Sequence, residues 1–312
     1  MSAPTVGQDK KKRKKIATSG RQHSAANSVI RSYPLWFYVV PGVAFVVLFI
    51  VPTLASFFFS LTRWTLFDWQ FIGLANYQQF FSEPFLIQGL YNTIFYAFFT
   101  SGAKVILGML LAIWLTSGVL AQGYLRGVIF FPVLVSTVGV GITFKALMEP
   151  FDGLINSSLT IFGIEGPRWL ADPNIALLSV ALVDVWKGVG IATVIYIAGL
   201  AAIPQEYREA AVVDGAGSIK RFYYVTLPLL MPATSTVIIL SLIGGLRSFD
   251  LIWAMTGGGP GFASDVMASI IFKQYQAGFF GLSTAGNVVL FAVVAAIVFP
   301  LNRFLNRRTV EA

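Results

Sequence analysis

Long apolar runs separated by short polar connections dominate this chain. Six of these runs are long enough to cross a lipid bilayer as a helix, which takes about 20 residues. The pattern therefore predicts an all-α, polytopic membrane protein with six transmembrane helices. The runs cover approximately residues 35–59, 90–117, 127–148, 174–203, 230–256 and 283–305.

Composition supports a membrane protein rather than a soluble one. Hydrophobic residues make up 56% of the 312 residues and charged residues only 12%, with a mean hydropathy of +0.74. A soluble domain carries about 25% charged residues. The first apolar run follows a polar tail and has no small-residue cleavage site after it, so we interpret it as an anchor and not as a signal peptide.

Basic residues are unequally divided between the two sides of the predicted membrane. Fifteen Lys and Arg residues fall on the side of the termini and three on the opposite side. Because cytoplasmic connections carry the excess of positive charge, both termini are predicted to be cytoplasmic. Residues 1–34 are predicted to be a disordered basic tail that sets topology or contacts anionic membrane lipid. Without interleaved aromatic residues, this tail does not favour nucleic-acid binding.

The residue inventory argues against bond-making chemistry. There is no cysteine, and His23 is the one histidine, so thiolate sites, imidazole clusters and His-based triads cannot form within this sequence. Neither HExxH nor GxSxG occurs. We therefore predict no catalytic residues and no metal site. The phosphate-binding pattern GxxxxGK[ST] is also missing, so this chain is not expected to bind ATP through a loop of that kind.

Charged residues inside two of the apolar runs need an explanation. Asp184 and Lys187 are three residues apart and share one face of the fourth predicted helix, and Arg247 and Asp250 repeat this spacing in the fifth. An unpaired charge in a membrane helix costs about 2.5–3.5 kcal/mol. Two interpretations remain open: the pairs are structural salt bridges, or they line a polar path. Trp186 could likewise stack on a sugar ring or only pack.

The longest polar interruption in the second half of the chain is residues 204–228. Pro204 suits a helix start, the residues from Gln205 to Asp214 favour a helix, and Gly215 and Gly217 end it. A helix of about ten residues is not stable alone in water, so it must pack against something. A second short helix is expected from Ser218.

One stripe of this short helix has the spacing i, i+3, i+4, i+7. It consists mostly of small residues, which allow a helix to lie deep in the groove of a partner. The stripe contains Tyr207, Ala210, Ala211 and Asp214. From the residues alone, a docking element and an ordinary connector on the membrane surface both remain possible.

The spacing in this stretch resembles the EAA loop of ABC importer permeases. The match comprises Glu209-Ala210-Ala211, three residues, Gly215, nine residues, Val225, one residue, and Leu227-Pro228. The single departure is Val225, where the family pattern has isoleucine. Further stretches resemble the maltose/glycerol-phosphate-type sugar permeases, and the resemblance spans about residues 35–308. These stretches are Pro204–Glu206, Asp214–Ala216, Trp186 with Gly188, and Gly257–Pro260.

The resemblance implies a type I ABC importer fold, with a transmembrane domain at 35–308 and a cytoplasmic coupling loop at 204–228. It implies a carbohydrate substrate, of the oligosaccharide kind, and a bacterial or archaeal inner membrane location. The implied partners are a second, homologous permease, an ATPase dimer that binds ATP and Mg, and a solute-binding protein. Seven residues would contact the ATPase: Glu209, Ala210, Ala211, Asp214, Gly215, Leu227 and Pro228.

The resemblance also places substrate-contacting positions on the helices before and after the loop. Gly244 and Gly245 fall there and are expected to make room for a bulkier ligand. Together with the charged residues and the tryptophan discussed above, the predicted substrate path comprises Asp184, Trp186, Lys187, Gly188, Ser241, Gly244, Gly245, Arg247 and Asp250.

Two alternatives use the same residues differently. An importer of glycerol phosphate or another small solute would need basic residues in its cavity that Asp184 and Asp250 do not neutralise. Lys187 and Arg247 are the candidates. An ion-coupled secondary transporter would use the Asp184–Lys187 pair as its relay and would need no ATPase.

Overall fold

The computed structural model describes residues 34, 36–65 and 67–309, so nearly all of the predicted basic tail lies outside the described residues. The described residues up to residue 55 form a unit of their own. Its described part contains helix α1 (Trp36–Phe45), a π-helical segment (Val46–Ile50) and the first half of α2 (Val51–Phe59).

The second unit, residues 56–312, is mostly helical. Its long helices correspond to the predicted apolar runs. They are α4 (Pro84–Thr116), α5 (Gln122–Leu134), α6 (Thr137–Leu147), α8 (Ala176–Ala202), α12 (Met231–Leu246) and α15 (Phe280–Thr309).

Shorter elements occupy the connections, where the hydrophobic pattern gives no signal. A small antiparallel hairpin pairs β1 (Thr62–Trp64) with β2 (Trp69–Phe71). The short helices are α3 (Ala75–Ser82), α7 (Leu154–Ile161), α9 (Gln205–Val213), α10 (Ser218–Arg221), α11 (Leu227–Leu229), α13 (Asp250–Met255) and α14 (Met267–Gln276).

Proline position accounts for both π-helical segments in the described chain. Val46–Ile50 lies just before Pro52, and Phe222–Thr226 lies just before Pro228. In each case the N–H that closes the segment reaches back five residues, as Leu227 does to the Phe222 carbonyl. Proline has no N–H and its ring crowds the carbonyl four residues earlier, so a widened turn relieves the contact.

The described chain contains four to six candidate spans, against the six predicted. Four helical stretches of the described chain are individually long and apolar enough to cross a membrane. Two helix pairs pass the same test only when taken together, and both are bent: α5 and α6 meet at 96°, and residues 218–229 meet α12 at 66°. Six spans result if each bent pair counts as one span. The third predicted run, 127–148, is thus broken at residues 135–136, three residues after Pro132.

Close helix packing holds the centre of the second unit together. Helix α4 packs along much of α8 and α12. At Gly108, a Cβ atom would come within 2.6 Å of the Ala192 Cβ, so α4 and α8 approach closely because a glycine faces an alanine. Tyr96 of α4 and Tyr196 of α8 are both fully buried.

The connection between α13 and α14 is fixed by a buried carboxylate. Asp265 is fully buried; it accepts hydrogen bonds from the Ser269 hydroxyl (2.7 Å) and from the Lys273 ammonium (2.6 Å). The Asn92 side chain donates to the Asp265 carbonyl (2.7 Å), which ties this connection to α4. The burial of a charge is tolerated here because the charge is paired and hydrogen-bonded.

Two adjacent glycines in this connection allow a matched test of the carboxylate network. Gly257 and Gly258 both have positive φ (58° and 88°), but a Cβ at Gly258 would lie 1.9 Å from the Asp265 carboxylate and one at Gly257 would meet nothing within 4 Å. We expect Gly258→Ala to destabilise the protein by about 2 kcal/mol more than Gly257→Ala, because it displaces a buried acceptor from its donors. Thermal unfolding of the purified protein measures the difference, and equal effects of the two variants would contradict the expectation.

Candidate functional site

A cavity of about 250 Å³ lies among α4, α8 and α12, with the bend between α5 and α6 at its side. Five of the nine residues predicted for a substrate path line it. They are Asp184, Lys187, Gly188, Ser241 and Gly244. The structure thus brings together residues from two helices that the 204–228 loop separates in sequence.

The partner of Asp184 is Lys104 and not Lys187. The Lys104 ammonium on α4 donates to the Asp184 carboxylate at 2.6 Å. Lys104 lies across Gly188, where a Cβ would be 2.6 Å from its Cε, so the glycine makes room for the lysine. The predicted neutralisation of Asp184 by Lys187 is wrong, because a lysine from the facing helix occupies that carboxylate. A lone lysine in the second apolar run was the signal that could have indicated this partner.

Hydroxyl and glycine positions from α12 form another wall of the cavity. The Ser241 hydroxyl lies 2.8 Å from the Ser101 hydroxyl of α4. Gly244 has nothing within 4 Å of its Cβ position, so it leaves open space. Gly245 does not: a Cβ there would lie 2.7 Å from the Ala97 Cα, and the residue is buried between helices. It therefore serves close packing of α12 on α4.

Trp186 lies on another face of α8 and does not line the cavity. It is 45% exposed, and its ring meets the Phe144 ring of α6 at 5.1 Å between centroids. The structure therefore places this tryptophan as a packing residue between α8 and α6.

The second predicted charge pair, Arg247 with Asp250, does not form. Both residues are exposed, they do not line the cavity, and no described residue makes an ion pair with either of them. The helix ends at Leu246 and α13 begins only at Asp250, so the two residues flank a break. The shared helix face that the spacing assumed is interrupted there.

The 204–228 loop has the predicted helix–turn–helix layout. Helix α9 ends in a Schellman motif: the Ala216 N–H donates to the Ala211 carbonyl (2.9 Å) and the Gly215 N–H to the Val212 carbonyl (3.0 Å). Gly215 has φ of +75°, which requires glycine at this turn. Gly217 has an ordinary φ of −64° and starts α10.

The side chains of α9 divide into an inner and an outer set. Ala211 is buried, whereas Tyr207, Ala210 and Asp214 of the predicted stripe are exposed. Glu209 is exposed and accepts a hydrogen bond from the Gln205 amide at 2.7 Å. The Arg208 guanidinium donates to the Leu200 carbonyl at 2.9 Å, which fixes α9 to the end of α8.

An open groove of about 860 Å³ runs between the end of α8 and α9, with Glu209, Val212 and Val213 among its lining residues. Val213 is 87% exposed. Of the remaining predicted loop residues, Leu227 is partly buried and Pro228 is exposed, both in α11. In the described part of the chain, no group of three or more His, Cys, Asp or Glu residues is placed to hold a metal ion.

Comparison with known families gives the class of protein. Residues 104–311 match the family described as binding-protein-dependent transport system inner membrane component. The chain belongs to this family. It is therefore a permease subunit of an ABC importer, located in a membrane and dependent on a binding protein, and it is a transport component rather than an enzyme. The resemblance inferred from the EAA spacing is confirmed.

The alignments with related permeases cover most of this chain. It is 34% identical to the trehalose/maltose transport system permease protein MalF of Thermococcus litoralis over 262 residues, which is 83% of this chain and 89% of that protein. It is 30% identical to the arabinooligosaccharides transport system permease protein AraP of Bacillus subtilis, with coverage of 84% and 85%. The multiple sugar-binding transport system permease protein MsmF of Streptococcus mutans is 29% identical, with coverage of 86% and 94%.

Solved structures share the fold of the permease. A chain of a bacterial ABC transporter involved in the import of the acidic polysaccharide alginate superposes with a TM-score of 0.79 at 20% identity, covering 91% of this chain and 99% of that one. At this identity the similarity supports the fold alone. The predicted type I ABC importer fold is confirmed.

Proposed function

We propose that this permease carries a carbohydrate into the cytoplasm, and that an ATPase dimer drives it through the 204–228 loop. The observation that carries the proposal is the convergence of Asp184, Lys187, Gly188, Ser241 and Gly244 on one membrane cavity. Hydroxyl and charged groups beside apolar walls suit a polyhydroxylated ring. The names of the relatives, which refer to trehalose/maltose, arabinooligosaccharides and multiple sugars, support the same substrate class.

The exposed face of α9 supports the ATPase contact. Glu209, Ala210 and Asp214 face solvent, while Ala211 and the Arg208–Leu200 hydrogen bond hold the helix to its own chain. A short helix fixed on one side and free on the other can transmit force between two proteins. ATP and Mg would be bound by the ATPase subunits, and the positive-inside pattern supports a cytoplasmic position for this loop and for both termini.

Two further partners belong to the proposal. A second, homologous permease would complete the translocation path beside the cavity that α4, α8, α12 and the α5–α6 bend line in this chain. The solute-binding protein would dock on the opposite side of the membrane from the loop. The resulting assembly contains two permeases, two ATPases and one binding protein.

A co-purification experiment tests the ATPase contact. Glu209→Lys is expected to reduce recovery of the ATPase at least tenfold, because it reverses the charge of an exposed group at the proposed interface. Glu206→Lys, on the same helix and also exposed, is the matched control and should retain recovery. Equal recovery from both variants would contradict the contact.

Uptake by the reconstituted importer tests the energy source. Labelled disaccharides should enter vesicles only when ATP and Mg are supplied on the loop side. Uptake driven by a proton or sodium gradient without ATP would instead favour the ion-coupled alternative.

A further inference from the structure

We infer that the cavity accepts an anionic sugar, with Lys187 as the counter-ion of its carboxylate or phosphate group. This inference rests on the proposed carbohydrate function and narrows the substrate class. Lys187 extends from α8 into the same cavity as Asp184.

The charges on the cavity wall do not balance. Three ionisable side chains line the cavity: Lys104, Asp184 and Lys187. Lys104 and Asp184 neutralise each other at 2.6 Å. Within the described chain, no carboxylate oxygen lies within 4.0 Å of the Lys187 ammonium. The wall therefore carries one uncompensated positive charge.

An uncompensated charge inside a membrane protein is costly and marks the path of an ion or substrate. The anionic partner that this chain could have supplied is already occupied, since Lys104 holds the Asp184 carboxylate across Gly188. A negative charge on the ligand would supply the missing partner. Lys187 is suited to this because a lysine ammonium is a compact point charge that binds carboxylates and phosphates.

The remainder of the cavity suits the body of a sugar. Ile191, Val237 and Leu240 provide apolar surface, Ser241 and Thr137 provide hydroxyls, and Gly244 leaves open space. Apolar walls contact the C–H face of a pyranose ring, and hydroxyls bond to its rim. A uronic acid combines these features with one negative charge, and a phosphorylated sugar combines them with a phosphate of about −1.5 to −2 charge at pH 7.

Binding of matched disaccharides to the assembled importer tests the inference. The probes are maltose (neutral), digalacturonate (carboxylate), trehalose 6-phosphate (phosphate) and the glucosamine disaccharide (cationic). At low salt, at least one anionic probe is expected to bind about tenfold or more tightly than maltose, and comparison of the two anionic probes identifies the preferred group. High salt should reduce this preference.

Substitutions of Lys187 test whether this residue causes the preference for anionic sugars. Lys187→Gln is expected to lower the ratio of anionic to neutral affinity from about tenfold to near one, and Lys187→Arg should keep it. Lys187→Glu should shift preference to the glucosamine disaccharide. The matched control is Lys145→Gln, which removes an exposed lysine of α6 that does not line the cavity and should leave the ratio unchanged.

The outcomes separate the inference from the function on which it rests. Equal or tighter binding of maltose by the wild-type importer would overturn the anionic preference and leave carbohydrate transport intact. An anionic preference that persists in correctly assembled Lys187→Gln importer would overturn the role of Lys187. Failure of every sugar to bind, together with ATP-dependent uptake of a non-sugar solute, would overturn the proposed function itself.

Discussion

Replacing Gly215 by valine is expected to abolish solute uptake while the protein remains inserted in the membrane. At φ of +75°, a β-branched residue is strained by about 1–3 kcal/mol. The strain falls on the Schellman turn that ends α9, so the ratio of native to non-native loop conformations would fall about five- to 150-fold. ATP-dependent uptake in vesicles and recovery of the ATPase measure the effect.

Gly217→Val is the matched control for this prediction. It introduces the same side chain two residues later, and a Cβ meets nothing within 4 Å at either position. Gly217 has φ of −64°, which valine adopts without strain. Near-normal uptake is expected. Similar losses from both substitutions would show that side-chain bulk in the loop matters and that the left-handed turn does not.

Removing the Asp184 carboxylate is expected to have the second large effect. The side chains of Lys104 and Asp184 are only 10% and 22% exposed, so Asp184→Ala leaves a nearly buried ammonium without its partner. Loss of one member of a buried pair costs about 3 kcal/mol. We expect a lower thermal unfolding temperature of the detergent-purified protein and strongly reduced uptake.

A second substitution distinguishes stability from transport. In the double variant Lys104→Met with Asp184→Ala, neither member of this ion pair is left as a buried charge without its partner, so most of the lost stability should return. Uptake should stay low, because the cavity has lost two of its polar groups. Recovery of uptake together with stability would indicate that the pair is purely structural. Failure of the double variant to regain stability would show that the ion pair does not explain the loss.

Much of the fold could be predicted from the sequence, because hydrophobic length and glycine or proline position act locally. The six apolar runs and the helix from Gln205 ended by Gly215 depend on neighbouring residues only. The bends in the helices could be predicted less well from the sequence. Pro132 was visible in the third run, but the 96° angle depends on packing of α5 and α6 against other helices.

The contacts inside the cavity could be predicted only in part, because they join residues that are distant in sequence. Spacing placed Asp184 and Lys187 on one face, which is correct, since both line the cavity. Spacing could not identify Lys104 as the ion partner, because that residue is 80 positions away in sequence. Arg247 and Asp250 had the same spacing as the first pair, yet the helix is interrupted between them. Periodicity is informative only where the helix is continuous.

The Lys104–Asp184 bond also limits how the protein can move. Asp184 lies 16 residues from Leu200, or about 24 Å along α8, from the end to which Arg208 attaches the loop. A 10° tilt of α8 about that end would carry the carboxylate about 4 Å. That displacement exceeds the 2.6 Å length of the bond. Beyond what the flexible Lys104 side chain can follow, the bond favours movement of α4 and α8 together, with rotation at points outside the two helices. The break between α5 and α6 and the bend before α12 are two points outside these helices where such rotation can occur.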